Sequence, residues 1–242
     1  FSNLIHFLPR IFFENEKHIK IAVHRNLSNK FRSFIEQLLI LKNIDFTFTY
    51  LDDDFYKFEN SKIPQFLNTV SAINLLKSIR EIVPQTKNKY DKIYVRREDA
   101  YYRTILNEAD LIEKLKKNGF KIISTSQYEI IEQISIFLNA KIVMSAYGSG
   151  LANIVFCNPG TKVYEIAPKV MNDYDNYFSK RYENLCKLCN LDFKRFFADS
   201  VNVEKHNKVT KKYINEKILN ESNYYKNIIL NLSEFDNMIK LI

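Results

Sequence analysis

Short apolar blocks alternate with polar segments along the chain, and their periodicity predicts strands and helices in turn. In the first part, the apolar runs at 20–24 and 46–50 predict strands, and the amphipathic stretch 29–42 between them predicts a helix. A polar, irregular stretch at 52–66 precedes a second amphipathic helix at 69–82. A strand–helix–strand order of this kind is typical of an α/β unit with parallel strands.

The second part of the chain repeats this alternation over shorter segments. Apolar runs predict strands at residues 92–95, 120–123, 141–145 and 162–166. The segments between them predict helices at residues 107–117, with Asn107 as the cap, 128–138 and 149–156. Short apolar strands that alternate with helices indicate a parallel sheet covered on both faces. The remaining residues, 172–242, are predicted to be mostly helical.

Glycine is scarce, so its positions carry information. The chain has 4 glycines, all between residues 119 and 160, whereas average usage gives about 17 in a chain of this length. Two of them stand in a small-residue turn directly after the predicted strand at 141–145. Such a turn lets backbone N–H groups approach a phosphate. The candidate ligand-binding residues of this run are Ser145, Tyr147, Gly148, Ser149, Gly150 and Asn153.

Charged residues stand where two of the other predicted strands end. Arg96 and Arg97 follow the strand at 92–95, and Glu165 lies at the end of the strand at 162–166. Ligands of doubly wound sheets bind at the carboxyl ends of the strands. We therefore expect these residues and the glycine turn to converge on one crevice, where Glu165 would accept hydrogen bonds from ribose hydroxyls.

Arginines are the expected ligands of a diphosphate, because one guanidinium can bind two phosphate oxygens at once. Arg96 and Arg103 are predicted to neutralise such a group. The alternative is that they form surface salt bridges, with Glu98, Asp99 or Glu108 as the partners.

An ordered string of short motifs runs from about residue 92 to residue 168. The motifs are Val95-Arg96-Arg97, Arg103, Asn107-Glu108, Gly119-Phe120, Glu132-Gln133, Tyr147-Gly148-Ser149-Gly150-Leu151-Ala152-Asn153, Phe156, Pro159-Gly160 and Val163-Tyr164-Glu165. In this order they resemble glycosyltransferase family 61, which includes bacterial capsular-polysaccharide enzymes, plant xylosyltransferases and animal N-acetylglucosaminyltransferases. Leu8-Pro9-Arg10 and the segment from Asn231 to Ile242 extend the resemblance towards both ends.

A small α/β half, a linker from Pro84 to Tyr90 and a second α/β half describe an α/β, GT-B-like fold, with two Rossmann-like halves with parallel sheets and a mainly helical C-terminal tail. We expect an acceptor-side half at 1–84, a nucleotide-sugar-binding half at 85–170 and a helical region at 171–242 that packs on both halves. The first half begins inside an apolar segment, which suits a chain that lacks an upstream portion.

The resemblance also implies a reaction. A family 61 enzyme would move a sugar, with inversion, from a nucleotide-diphosphate sugar to a hydroxyl of a glycan, in a site between the two halves. Arg97 and Asn107 are then further donor-binding residues. The family usually has His-Gly-Ala-Gly where this chain has Tyr147-Gly148-Ser149-Gly150. This departure keeps open an alternative function, a non-catalytic module that binds nucleotide or glycan.

An inverting transfer needs one general base near the acceptor hydroxyl. We expect this base in the first half, because the donor occupies the second. The titratable residues there are His6, Glu14, Glu16, His24, Asp52, Asp53 and Asp54. His6, beside the family-like Leu8-Pro9-Arg10, and Asp52, directly after a strand, are the predicted catalytic residues.

No metal and no cofactor other than the donor is expected. The run from Asp52 to Asp54 resembles the metal-binding acidic pair of the other major glycosyltransferase fold, but an acidic turn after a strand is favoured. Basic residues at the crevice can neutralise the diphosphate instead. Cys186 and Cys189 form a single C-x-x-C, and two core-facing cysteines are favoured over a zinc or redox site.

The formal net charge of +8 suits a phosphate-bearing ligand or an anionic membrane surface, and a lysine-rich solvated surface explains it equally well. The lysines form no stripe, which disfavours a nucleic-acid partner. No apolar run approaches the roughly 18 residues of a membrane span. We expect a cytoplasmic enzyme, with the inner face of the membrane as the surface that it would meet.

Overall fold

The computed structural model of the chain describes residues 3–11, 17–84, 86–98, 100, 102–170, 172–203 and 215–240. These residues form a mixed α/β protein with mostly parallel strands, and the predicted fold class is confirmed at this level. The chain divides into two compact units. Unit 1 comprises Phe1–Asn88 and Tyr128–Ile136, and unit 2 comprises Lys89–Gln127 and Phe137–Ile242.

Unit 1 contains the predicted strand–helix–strand order. A π-helical turn, Asn3–Phe7, leads into the short helix α1 (Leu8–Ile11), and then follow β1 (His18–His24), α2 (Asn29–Leu41), β2 (Asp45–Leu51) and α3 (Thr69–Ile82). The two strands pair in parallel, with His18 opposite Asp45. Between β2 and α3 the described residues form no helix or strand, as the polar composition predicted.

Each long helix of unit 1 is capped and buries one face. Ser28 accepts a hydrogen bond from the backbone N–H of Phe31 at the start of α2, and Asn68 does the same for Ser71 at the start of α3. The buried residues recur at helical spacing, which is why the periodicity predicted both helices. They are Phe34, Ile35, Leu38, Leu39, Ala72, Ile73, Leu76 and Ile79.

Unit 2 contains a six-stranded sheet with the order β4-β3-β5-β6-β7-β8. Its strands are β3 (Lys92–Arg96), β4 (Lys121–Ser124), β5 (Ile142–Ala146), β6 (Lys162–Pro168), β7 (Asp192–Val201) and β8 (Asn227–Ile229). The pairs from β4 to β7 are parallel, and β8 runs antiparallel to β7. β5 is buried along its whole length, as a central strand covered on both faces must be.

Helices separate the strands of unit 2. The α-helices are α4 (Glu108–Lys117), α5 (Ile130–Asn139), through which the division between the units passes, α6 (Asp173–Cys189), α7 (Glu216–Glu221) and α8 (Leu232–Ile239). The 3₁₀ helices are Thr125–Gln127, Ser149–Phe156 and Asn223–Tyr225. Among the described residues, no helix is both long enough and apolar enough to cross a membrane.

The four strands predicted for the second part are confirmed, but the prediction of a mostly helical tail missed β7 and β8. β7 joins the parallel sheet beside β6. Its charged residues are the reason that the apolar pattern did not predict a strand there. Lys194 and Arg195 interrupt the apolar pattern in the sequence. Arg195 nevertheless fits within the strand, because it pairs with Glu165 on β6. The division into 1–84, 85–170 and 171–242 stays a prediction.

Candidate functional site

A cleft of about 300 Å³ lies at the carboxyl ends of three neighbouring strands of unit 2. Arg96 is the last residue of β3, Thr125 directly follows β4, and Ser149 and Gly150 follow β5 after a short turn. The cleft is lined by Val95, Arg96, Arg97, Ala100, Tyr102, Arg103, Thr125, Ser149 and Gly150. Parallel pairing of β3, β4 and β5 therefore brings the predicted arginines and part of the glycine turn together.

Arg97 packs against the glycine turn. Its Nη1 donates a hydrogen bond to the carbonyl oxygen of Tyr147 at 2.8 Å. A Cβ on Gly148 would overlap that same nitrogen, so glycine at this position leaves room for the guanidinium. Burial, together with the charge of Arg103, lowers the pKa of Arg97 to about 10, which leaves the group protonated at neutral pH. Gly148 thus admits an arginine that lines the cleft, a role that differs from the predicted contact with a phosphate.

Arg103 is enclosed by aromatic rings. Its guanidinium carbon lies 4.7 Å from the ring centres of Tyr102 and Tyr224, and 5.8 and 5.9 Å from those of Tyr147 and Tyr225. The buried Nε of Arg103 has no hydrogen-bond partner among the described residues. Aromatic faces hold a cation without occupying its N–H donors. The Nη2 atom of Arg103 lies 3.4 Å from the hydroxyl oxygen of Tyr102, and the described residues provide no carboxylate that would neutralise this guanidinium.

The three arginines of the cleft differ in their ion pairs. Arg96 binds Glu98 through Nη1 at 2.9 Å and Glu108 through Nη2 at 3.2 Å, so the salt-bridge alternative describes this residue. Asp99, the third partner considered, lies outside the described residues. None of the ion pairs within the described part of the chain includes Arg97 or Arg103. The positive charge of the cleft is therefore only partly neutralised by these residues.

Tyr147 replaces the histidine of the family motif and is a buried structural residue. Its hydroxyl lies 2.8 Å from the carbonyl oxygen of Tyr224, and 3.2 and 3.0 Å from those of Asn223 and Lys226. Burial raises the pKa of Tyr147 well above its ordinary value. A neutral phenol that donates to backbone carbonyls does not act as an acid or base at neutral pH. Tyr147 does not line the cleft through its hydroxyl and instead fixes a distant segment.

Three other predicted donor-binding residues also serve the fold. Ser145 lies within β5, is buried and donates to the carbonyl oxygen of Val95 at 2.8 Å. Asn107 does not cap α4 with its side chain. Its amide instead bonds to both the N–H and the carbonyl of Leu230, at 3.0 and 2.9 Å. Asn153 is buried in the 3₁₀ helix that follows the turn.

The prediction that Glu165 faces the same crevice is wrong. β6 continues past Glu165 to Pro168, so this residue lies within the strand and not at its end. Its carboxylate, which is 1% exposed, accepts a hydrogen bond from Nε of Arg195 at 2.6 Å. Burial raises the pKa of Glu165 to about 7, against the opposing effect of Arg195. A carboxylate enclosed in this way is not available to a ribose.

The residues ranked as the catalytic base belong to unit 1. His6 is an exposed residue of the π-helical turn. Asp52 follows β2, and its carboxylate pairs with Arg25 at 2.9 Å. The adjacent Asp53 hydrogen-bonds to Nε2 of His24, also at 2.9 Å. Asp52 is thus held by a cation, whereas Asp53 is oriented by an imidazole at the end of β1.

The remaining predictions concern two further candidate bases, a metal site and the cysteines. Glu14 and Glu16 lie outside the described residues. Within the part of the chain that is described, no group of three or more histidine, cysteine or acidic side chains is arranged to hold a metal ion. Cys157, Cys186 and Cys189 are buried free cysteines, as expected for core residues.

Four residues that line the cleft, Val95, Ala100, Tyr102 and Thr125, were not among the predicted site residues. Thr125 follows β4 directly, so the same strand-end argument that selected Arg96 would have selected it. Tyr102 could not have been chosen in this way, because it lies in the loop after β3. Its place in the cleft follows from the packing of its ring against Tyr225, with the ring centres 5.6 Å apart.

A mostly parallel α/β sheet with a basic cleft at the strand ends is an architecture of proteins that bind phosphate-bearing ligands. The model of the family described as Glycosyltransferase 61 matches residues 3–164, which is more than half of the chain. The chain belongs to glycosyltransferase family 61, and the resemblance of its motifs is confirmed. A search of curated proteins finds no match. The matched segment includes the whole cleft, whereas Glu165 and the C-terminal region follow it.

Proposed function

We propose that this glycosyltransferase transfers a sugar from a nucleotide-diphosphate sugar to a hydroxyl of a glycan, with inversion at the anomeric carbon. The observation that carries the proposal is the cleft of about 300 Å³ at the carboxyl ends of β3, β4 and β5. Three arginines line it, and two of them have no ion pair among the described residues. The donor diphosphate binds there in this proposal.

Charge and geometry support a diphosphate as the ligand. Arg97 and Arg103 line the cleft, and hydrogen bonds from guanidinium to phosphate are among the strongest in proteins. Ser149 and Gly150 add backbone N–H groups at the start of the 3₁₀ helix. The leaving diphosphate gains negative charge in the transition state, so fixed cations at this position accelerate the transfer. No metal ion or other cofactor is required in this mechanism.

A general base deprotonates the acceptor hydroxyl in this proposal, with His6 and Asp52 as the candidates. An alanine variant of the true base cuts turnover by roughly 10²–10⁴-fold while donor affinity stays nearly unchanged. Asp53 serves as the comparison for Asp52, since both follow β2 but only Asp53 contacts His24. A glycan at the inner face of an anionic membrane, in the cytoplasm, is the proposed acceptor.

The test begins with a panel of nucleotide sugars, scored by thermal stabilisation of the chain. The stabilising donor is then incubated with candidate glycans, and NMR of the product reads the configuration of the new bond. We expect transfer with inversion. A product that keeps the configuration of the donor would contradict the single-base mechanism, and binding without transfer or hydrolysis would match the non-catalytic module.

A further inference from the structure

Residues 222–226 connect α7 to β8 and are fixed by a buried carboxylate that the proposed function does not use. Asp175, in the first turn of α6, accepts hydrogen bonds from the hydroxyl of Ser222 and from the backbone N–H groups of Asn223 and Tyr224, the last two at 3.1 Å. The side chain is buried, and these three donors occupy both of its oxygens. Its negative charge thus serves to hold this segment.

The same segment is held from its carbonyl side by Tyr147. The phenol hydroxyl approaches the carbonyl oxygens of Asn223, Tyr224 and Lys226 at 2.8–3.2 Å. One hydroxyl carries one hydrogen, so the contact to Tyr224 at 2.8 Å is the best-placed hydrogen bond. Asp175 thus holds the N–H groups of Asn223 and Tyr224, and Tyr147 holds the segment at the carbonyl oxygen of Tyr224.

This segment supplies two of the rings that surround Arg103. Tyr224 and Tyr225 place their ring centres 4.7 and 5.9 Å from its guanidinium carbon. The hydroxyl of Tyr225 lies 2.6 Å from that of Tyr174, the neighbour of Asp175 in α6. The first turn of α6 thus fixes both the backbone and a side chain of the segment.

We propose that Asp175 is a positioning residue of the donor site, because it fixes residues 222–226 and thereby the aromatic wall that aims Arg103 into the cleft. The inference rests on the proposed function, since it requires that Arg103 bind an anion. It lies outside the segment 3–164 that the family model matches. A carboxylate in direct contact with Arg103 would compete with a phosphate. Aromatic rings orient the cation without that competition.

The backbone conformation of Arg103 indicates that contacts from elsewhere in the chain hold this residue in place. Its φ of 58° lies in the left-handed region, which residues with a side chain adopt rarely. The next residue, Thr104, hydrogen-bonds to Asn227 just beyond the segment, with its N–H 3.1 Å from the side-chain oxygen. The residue that follows Arg103 is therefore bonded to the residue that directly follows the segment with the rings.

The experiment measures the affinity of the whole chain for inorganic pyrophosphate by calorimetry. In Asp175→Asn, an N–H₂ group replaces one acceptor and opposes the donors of Ser222 or Asn223, and we expect affinity to fall about tenfold. Asp173→Asn is the matched control. It removes the same charge from the same turn of α6, but Asp173 is exposed, so its affinity stays that of the wild type.

A double-mutant cycle separates positioning from a general loss of structure. If Asp175 acts through Arg103, Asp175→Asn causes no further loss of affinity in the Arg103→Met background. An equal loss in both backgrounds would overturn the proposal. If Asp175→Asn does not fold, Tyr147→Phe removes the hydroxyl from the other side of the segment. It is expected to weaken binding with the same dependence on Arg103, and wild-type affinity in this variant would overturn the proposal.

The outcomes also distinguish this inference from the function on which it rests. A wild-type chain that binds neither pyrophosphate nor any nucleotide sugar of the panel would overturn both. Wild-type binding that is lost in Arg103→Met but unchanged in Asp175→Asn would leave the proposed function standing and overturn the positioning role alone.

Discussion

Two arginine-containing clusters in unit 2 differ in how their charge is balanced. Arg195 on β7 is 13% exposed and is satisfied by the carboxylate of Glu165 and the carbonyl of Ser179. Arg97 and Arg103, in the loop after β3, contact a carbonyl and aromatic rings, and no ion pair among the described residues includes either one. The first cluster is internally complete, whereas the second keeps donors for an anion.

The comparison shows that a charged residue near a strand end is not by itself a ligand-binding residue. Glu165 and Arg97 were predicted from the same position at a strand end. Whether such a side chain can bind a ligand depends on its contacts within the protein, because the charged groups of a buried ion pair are already occupied by each other. An arginine held by rings and a carbonyl pays a desolvation cost that binding can relieve.

The largest expected effect is a difference in the free energy of unfolding when the arginine of each cluster is replaced by methionine. Arg195→Met leaves the buried Glu165 without its partner, so the carboxyl group must take up a proton or remain uncompensated, and we expect the free energy of unfolding to fall by about 3–5 kcal/mol. Arg103→Met, the same change in the other cluster, keeps the apolar contact with the tyrosines and removes repulsion from Arg97. Denaturant titration is expected to show an unchanged or higher stability for Arg103→Met. A similar loss in both variants would contradict the comparison.

The second effect concerns donor affinity. Arg103→Met removes charge-assisted hydrogen bonds to the diphosphate and should cost about 1.5–3 kcal/mol of binding. Calorimetry with the stabilising nucleotide measures this loss. Lys121→Met is the control, because Lys121 is an exposed cation at the start of β4, at the opposite end of that strand from the cleft. Equal losses would indicate a general charge effect instead of a specific site.

The third prediction concerns the space that Gly148 leaves for Arg97. A methyl group in Gly148→Ala would displace the guanidinium and break its bond to the carbonyl of Tyr147. We expect a loss of donor affinity of about 1–2 kcal/mol with little change in stability. In the Arg97→Ala background the same substitution should have no further effect on affinity. Additive losses would mean that Gly148 contacts the donor itself, as the sequence predicted.

A smaller effect is expected in the pH dependence of stability. The pKa of Glu165 in the folded state, about 7, lies above its ordinary value of 4.5. The folded state then binds more protons between these values, so this group makes the free energy of unfolding fall as pH rises from about 4.5 to about 7. Glu165→Gln removes this contribution and makes the slope less negative. An unchanged slope, equal to that of the exposed control Glu113→Gln, would contradict this reading of the buried pair.

The smallest expected effect is that of metal removal. If arginines neutralise the diphosphate, turnover in excess chelator equals turnover with added magnesium or manganese. The opposite result has a specific form. Turnover that strictly requires manganese, and that is lost in Asp54→Ala, would assign a metal to the acidic run after β2.

Much of the fold could be predicted because its signals are local. The spacing of apolar residues gave α2, α3 and the strands β3 to β6, and the caps at Ser28 and Asn68 lie next to the helices that they begin. β7 was not predicted because its half-buried charged residue, Arg195, has its partner 30 positions away. A charged residue inside a strand reads as a surface residue until that partner is known.

The candidate site divides in the same way. Residue type and strand ends selected Arg96, Arg97, Arg103 and the glycine turn. The structural role of Asn107 depends on a contact with Leu230, 123 positions along the chain, and that of Tyr147 on a contact with Tyr224, 77 positions along it. No local pattern encodes such contacts, and a polar residue in a family motif therefore looks like a ligand whether it binds one or holds the fold together.

The most direct test of the central claim is a crystal structure of the chain with the nucleoside diphosphate that stabilises it best. We expect the diphosphate to lie in the cleft at the carboxyl ends of β3, β4 and β5, within hydrogen-bond distance of Arg97 or Arg103, with the Glu165–Arg195 pair intact. A diphosphate bound outside this cleft, or one that opens the pair and binds Arg195, would contradict it.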